Sequence, residues 1–85
     1  MAKCSKKTEA AMARQVTRAR STIRKFERGN RCRRLGSCED ALDSAIKYIK
    51  KFTENKNLSC SARALLVQNA MEELNYAEAR ARRGR

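Results

Sequence analysis

The chain has no histidine, no tryptophan and no proline among its 85 residues. Without histidine there is no imidazole to activate a cysteine or serine nucleophile, and none to complete a mixed zinc site. Without proline, nothing in the chain forbids long helices. Glycine is confined to Gly29, Gly36 and Gly84, so no glycine-rich phosphate-binding loop can be assembled. The aromatics are Phe26, Tyr48, Phe52 and Tyr76, and the two phenylalanines fall in apolar stripes, so only Tyr48 and Tyr76 remain and stacking on single strands is not expected. No stretch approaches the roughly 18 apolar residues of a membrane span, and the opening MAKCSKK carries no apolar run. Neither a transmembrane helix nor a signal peptide is therefore expected, and the expected compartment is the cytoplasm.

Acids are scarce as well, with 9 Asp and Glu against 21 Lys and Arg and a net charge of +12. The imbalance is concentrated. Residues 1–34 hold 12 cations against Glu9 and Glu27, residues 35–79 hold 5 cations against 7 acids, and residues 80–85 hold 4 arginines. A basic front, a nearly neutral middle and a basic tail describe a surface aimed at a polyanion.

What is plentiful is alanine, arginine, lysine, glutamate and leucine, all strong helix formers. The fold class expected is all-α, in a single domain spanning residues 1–85. A chain of this length buries only about 60 to 65% of its unfolded surface, so its core is thin. Met12, Val16, Ala19, Ile23 and Phe26 recur at spacings of 4, 3, 4 and 3, the rhythm of a helix packed lengthwise on others. Cys38, Leu42, Ala45, Ile49 and Phe52 repeat it, and Val67, Ala70, Leu74, Ala77 and Ala81 give 3, 4, 3 and 4. Helices are predicted over about 6–28, 38–54 and 61–82, with a flexible basic tail at 83–85.

Local chemistry marks the boundaries. Gly29 and Asn30 form a helix stop. Ser37, followed by Glu39 and Asp40, reads as the N-cap of the second helix. Ser61 or Ser59 caps the third. Asp43 with Lys47, Lys50 with Glu54 and Glu78 with Arg82 are i, i+4 pairs on solvent faces. Short connections favour antiparallel neighbours, so an up-down-up three-helix bundle is expected. Because alanine buries little area, a homodimer that adds a second layer of core is the alternative.

GSCEDALDSAIKYIKK, residues 36–51, resembles the second helix of a tetratricopeptide repeat, with a glycine, an acidic pair, Ala-Leu and a later lysine and aliphatic in similar places. The resemblance implies an amphipathic helix and extends no further. Cys38 stands where the repeat has an aromatic, and the flanking helices do not keep its pattern.

In an up-down-up bundle Cys32 and Cys38 share one end while Cys4 and Cys60 share the other, about 25 Å away at 1.5 Å per residue. A single four-cysteine metal site is thereby excluded, and the five-residue spacer between Cys32 and Cys38 exceeds that of zinc ligands. No metal and no cofactor is expected. Two disulfides, Cys32 with Cys38 and Cys4 with Cys60, are geometrically accessible. A reducing cytoplasm would keep the thiols free, and free thiols are the expected state.

Relative to Met12, the first helix's apolar stripe lies within about 40°, whereas Arg20, Arg24, Arg28, Arg14, Lys25 and Arg18 project at about 80, 120, 160, 200, 220 and 240°. Its whole outer face is cationic. The bundle further places Arg28, Arg31, Arg33 and Arg34 near Arg80, Arg82, Arg83 and Arg85, an arginine-rich end whose planar guanidiniums suit phosphate. No nucleophile with its base and no carboxylate constellation is present, so no enzyme is expected. The function expected is nucleic-acid binding through the phosphate backbone of DNA or RNA, by the outer face of the first helix and the arginine end. The alternative is an accessory or inhibitor protein of phage or plasmid type, docking on an acidic or nucleic-acid-binding partner protein. A membrane-surface role lacks the exposed apolar face it would need.

Overall fold

In the computed structural model, which describes residues 4–33 and 35–83 and only the backbone of Arg83, three helices fill almost the whole chain. They are α1 (Lys6–Gly29), α2 (Gly36–Glu54) and α3 (Cys60–Arg83). The fold is the all-α, up-down-up bundle that the three stripes dictate. It is a rod of 45 × 18 × 18 Å, which matches the length of a 24-residue helix, about 36 Å, with its caps and loops.

Each helix end has an identifiable chemical cause. Ser5 caps α1, its Oγ accepting from the Thr8 N–H at 3.2 Å, a signal not read from the sequence. α1 stops where expected. Asn30 takes the left-handed conformation at φ 46° and ψ 47°, and the N–H of Arg31 donates to the Phe26 carbonyl at 3.2 Å. Ser37, by contrast, is not the cap of α2. The helix begins two residues ahead of the expected 38, with Leu35 at the cap and no side-chain hydrogen bond there. The Leu35 N–H donates to the Cys32 carbonyl at 2.8 Å, and its half-buried side chain packs on the cluster around Phe26. Apolar anchoring thus sets this start, and Ser37 is left inside the first turn. At α3 the cap is Ser59 rather than Ser61, its Oγ accepting from the Ala62 N–H at 3.3 Å.

α2 and α3 pack most closely. Their seam is lined by Ala41, Ala45, Ala70 and Ala77, each at most 4% exposed. Small side chains let the two axes approach, and α1 then lies over the pair with larger ones, Met12, Val16, Ile23 and Phe26. Every stripe residue of α1 is buried. In α2 the stripe is shifted, because Ala41 is buried while Leu42 is half-exposed and bridges the two core clusters. Ile46 is 37% exposed and Leu65 55% exposed, so both lie outside the core.

The cysteines are bonded rather than free. Cys4 joins Cys60 with Cα atoms 4.8 Å apart, and Cys32 joins Cys38 at 5.3 Å, both within the range a disulfide requires. The expectation of free thiols is corrected by the topology itself, which brings each pair into bonding range at its own end. One bridge ties the starts of α1 and α3, the other the loop to the first turn of α2.

Arg63 is the one buried charged side chain among the described residues, at 9% exposure. Its guanidinium lies 4.2 Å from the centre of the Phe52 ring and donates through Nη1 to the carbonyls of Phe52 and Asn55, both at 3.2 Å. Nη2 reaches Glu9 Oε2 at 3.4 Å. One side chain therefore satisfies carbonyls at the end of α2 and links α3 to α1.

Leu74→Ala should destabilise the domain by about 2 to 5 kcal/mol and Leu42→Ala by distinctly less, as read from urea denaturation. Arg63→Ala should cost about 2 to 4 kcal/mol, because it strands two carbonyls and uncovers Phe52; a loss below that of an exposed arginine would contradict the linking role. Peptide mapping under oxidation should recover Cys4–Cys60 and Cys32–Cys38, and a Cys38–Cys60 link would contradict the helix order. With sequence separations of 56 and 6, replacing the first pair by serine should cost about 4 kcal/mol and the second about 2 kcal/mol by chain entropy.

Candidate nucleic-acid interface

Burying Met12, Val16, Ala19, Ile23 and Phe26 leaves the opposite face of α1 nowhere to go but outward. Arg14, Arg18, Arg24, Lys25 and Arg28 are all exposed there. From Arg14 to Arg28 the row runs about 21 Å along the rod. Among the described residues the ion pairs are Lys50 with Glu54 and Arg63 with Glu9. None of the outer-face cations is paired. The i, i+4 partners Asp43 with Lys47 and Glu78 with Arg82 are likewise not within ion-pair distance, since exposed side chains gain too little from closing the contact to offset their lost freedom.

Arg20 behaves differently from its neighbours. Its Nη2 donates to Thr53 Oγ1 at 2.9 Å, which turns the side chain across toward α2. Arg20 and Arg24 there rim a furrow of about 480 Å³ floored by Ile23, Ile46 and Ile49, with Lys50 and Glu27 on the same rim. The furrow exists because α1 sits mainly on α3 and approaches α2 least. The cations of α1 are accordingly divided between an outer row and this α2-side rim.

At the far end, α1 stops, the loop turns and α3 finishes, as the topology requires. Arg31 and Arg33 from the loop meet Arg82 from α3 in a cleft of about 300 Å³, which Phe26, Gly29, Glu78 and Ala81 complete. Arg31 carries its guanidinium 5.8 Å from the Phe26 ring centre. Arg33 is held in the left-handed region at φ 49°, its N–H donating to the Asn30 carbonyl at 3.0 Å. Arg80 stands apart from the cleft. Its Nε donates to Ser37 Oγ at 3.1 Å and its guanidinium lies 5.9 Å from the Tyr76 ring. Arg34, the side chain of Arg83, and Arg85 with the rest of the expected basic tail lie outside the described residues.

Two features of this end escape sequence reading. Glu78 is a cleft wall rather than a partner in a helix-surface pair, and its helical phase relative to Arg82 could have pointed to a shared face with the loop. Ser37, misread as a cap, is the anchor for Arg80. Among the described residues, no group of three or more cysteine or acidic side chains converges as a metal set, and no helix is long and apolar enough to cross a membrane.

No family model, curated protein or solved structure matches the chain.

Proposed function

We propose that the chain is a non-enzymatic nucleic-acid-binding module that grips the phosphate backbone of DNA or RNA, with the outer row of α1 and the arginine end acting together. The observation that carries this reading is the unpaired row Arg14, Arg18, Lys25 and Arg28, continued by chain connectivity into Arg31 and Arg33. Like charges at i, i+4 oppose helix formation by a few tenths of a kcal/mol per pair, and phosphates relieve that repulsion. Backbone contacts of this kind carry no base sequence, so binding is independent of sequence. A homodimer through Leu65 and Tyr76, both exposed on α3, would leave these cations open. The reading needs no cofactor, and the two bridges fit an oxidising setting better than the reducing cytoplasm expected from the sequence.

A second reading has an observation of its own. The furrow between α1 and α2 combines an isoleucine floor with Arg20, Arg24 and Lys50 at the rim, a chemistry suited to an acidic, apolar protein surface and of no use to a phosphate backbone. An accessory or inhibitor protein docking on an acidic or nucleic-acid-binding partner would use it.

Neutralising Arg14, Arg18 and Lys25 to glutamine should weaken duplex binding whatever the sequence, with the thermal melt unchanged or slightly raised because these side chains are outside the core and repel one another. With about five or six phosphates contacted, log K should fall against log salt with a slope near −5, and each lost contact should flatten it by about one. Equal binding by parent and triple variant across the salt series contradicts the nucleic-acid reading. A complex with a protein partner that withstands moderate salt and is lost on Ile46→Glu would favour the second.

A further inference from the structure

The cleft at the arginine end differs in kind from the outer row of α1. The row lies along the convex side of a rod, where successive phosphates of a duplex can meet it. The cleft is concave, sits at the tip of a body 18 Å wide, and at about 300 Å³ lies at the small end of ligand-pocket sizes. It has room for one nucleotide and none for the side of a double helix.

Its charge is also specific. Among the described residues Arg31, Arg33 and Arg82 face one carboxylate, Glu78, so that lining carries a net charge of +2. An internal phosphodiester brings a single negative charge, whereas a phosphomonoester carries about −1.5 to −2 at neutral pH. The monoester matches. Glu78 adds discrimination, because a chain continuing through the cleft would bring a second phosphate toward the carboxylate, while the last nucleotide of a strand can offer it a hydroxyl or amino donor instead.

The site is held in shape before any ligand arrives. Arg31 lies against the Phe26 ring. The loop is closed by Asn30 in the left-handed conformation, by the Arg33 to Asn30 and Leu35 to Cys32 backbone hydrogen bonds, and by the Cys32–Cys38 bridge. Both of those cysteines are buried. None of the three guanidiniums is ion-paired among the described residues, so each keeps its donors for the ligand. Arg31 and the loop backbone are set in advance, and the Arg33 and Arg82 guanidiniums bring unpaired forked donors that suit bidentate phosphate binding.

We propose that this cleft is a seat for the terminal phosphomonoester of a nucleic-acid strand, so that the protein recognises strand ends in addition to gripping backbone. The proposal rests on the nucleic-acid reading above and names the end group which that surface selects.

The test compares short single strands of one sequence bearing either a 5′-phosphate or a 5′-hydroxyl, with inorganic phosphate and a nucleoside monophosphate as competitors. The phosphorylated strand should bind roughly tenfold more tightly, the scale of one charge-assisted pair. Arg33→Gln and Arg82→Gln should each bring the ratio toward one, and Arg82→Gln guards against any disturbance of the loop by the first. Arg18→Gln should weaken both strands alike and keep the ratio. Measurable but equal binding of the two strands overturns the end-group proposal and leaves the backbone reading standing. Failure of either strand to bind at low salt overturns the end-group proposal, and failure of a duplex of the same sequence to bind as well overturns both. Competition by the nucleoside monophosphate or inorganic phosphate at concentrations comparable to the strand overturns the strand-end assignment in favour of a site for free phosphate compounds.

Discussion

The close approach of α2 and α3 along Ala41, Ala45, Ala70 and Ala77 is the contact on which the rest of the molecule is built. Alanine costs no side-chain entropy on burial and is the best helix former, so the seam is inexpensive to order. It also removes little apolar surface per residue. A two-helix seam of this kind cannot sustain a domain, and α1 supplies what is missing. The large side chains are accordingly found where α1 lies on the pair, and the bundle gains its remaining stability from cross-links at its two ends.

That division of labour explains how α1 can tolerate its charge. A helix with cations at 14, 18, 20, 24, 25 and 28 gains little from its own outer face. It is held by five buried stripe residues, by the Cys4–Cys60 bridge at its start, and by Glu9 on Arg63. None of these contacts uses the outer row, so the row is free for a ligand. Arg20 is the exception, and its bond to Thr53 shows what happens to a cation at the edge of the face, where a neighbouring helix is within reach.

Much of this was legible in the residues. The three stripes predicted the helices to within two residues at every end, and the helix order placed the cysteines in their two pairs. What stayed hidden depends on tertiary context. Ser37 has every local property of a cap, yet Leu35 starts α2 because its side chain reaches the core and the Cys32 carbonyl accepts its N–H. Leu42 and Ala41 exchange roles because the closest neighbour of α2 is α3 alone, which rotates the buried face. Arg63 reads as one more surface cation in a basic chain. Only the arrival of Phe52, Asn55 and Glu9 from two other helices makes it a core residue. The loop arginines were correctly brought to α3, but the concavity that Glu78 walls could not be read from helical phase alone.

The two disulfides are not equivalent in what they constrain. Cys4–Cys60 closes a long stretch of chain and acts on the whole bundle through the unfolded state. Cys32–Cys38 closes a short one and acts locally, on the loop that carries Arg31 and Arg33. Opening the long bridge therefore bears on whether the domain is folded, and opening the short one bears on how the cleft arginines are presented. Since Cys32 and Cys38 are both buried against Phe26, Ala41 and Ala77, a reductant reaches that sulfur pair only when the loop itself lifts. An anion that bridges Arg31 and Arg33 to Arg82 ties the loop to α3 and opposes that opening. Ligand binding and retention of the Cys32–Cys38 bond consequently favour each other, because both stabilise the same closed position of the loop.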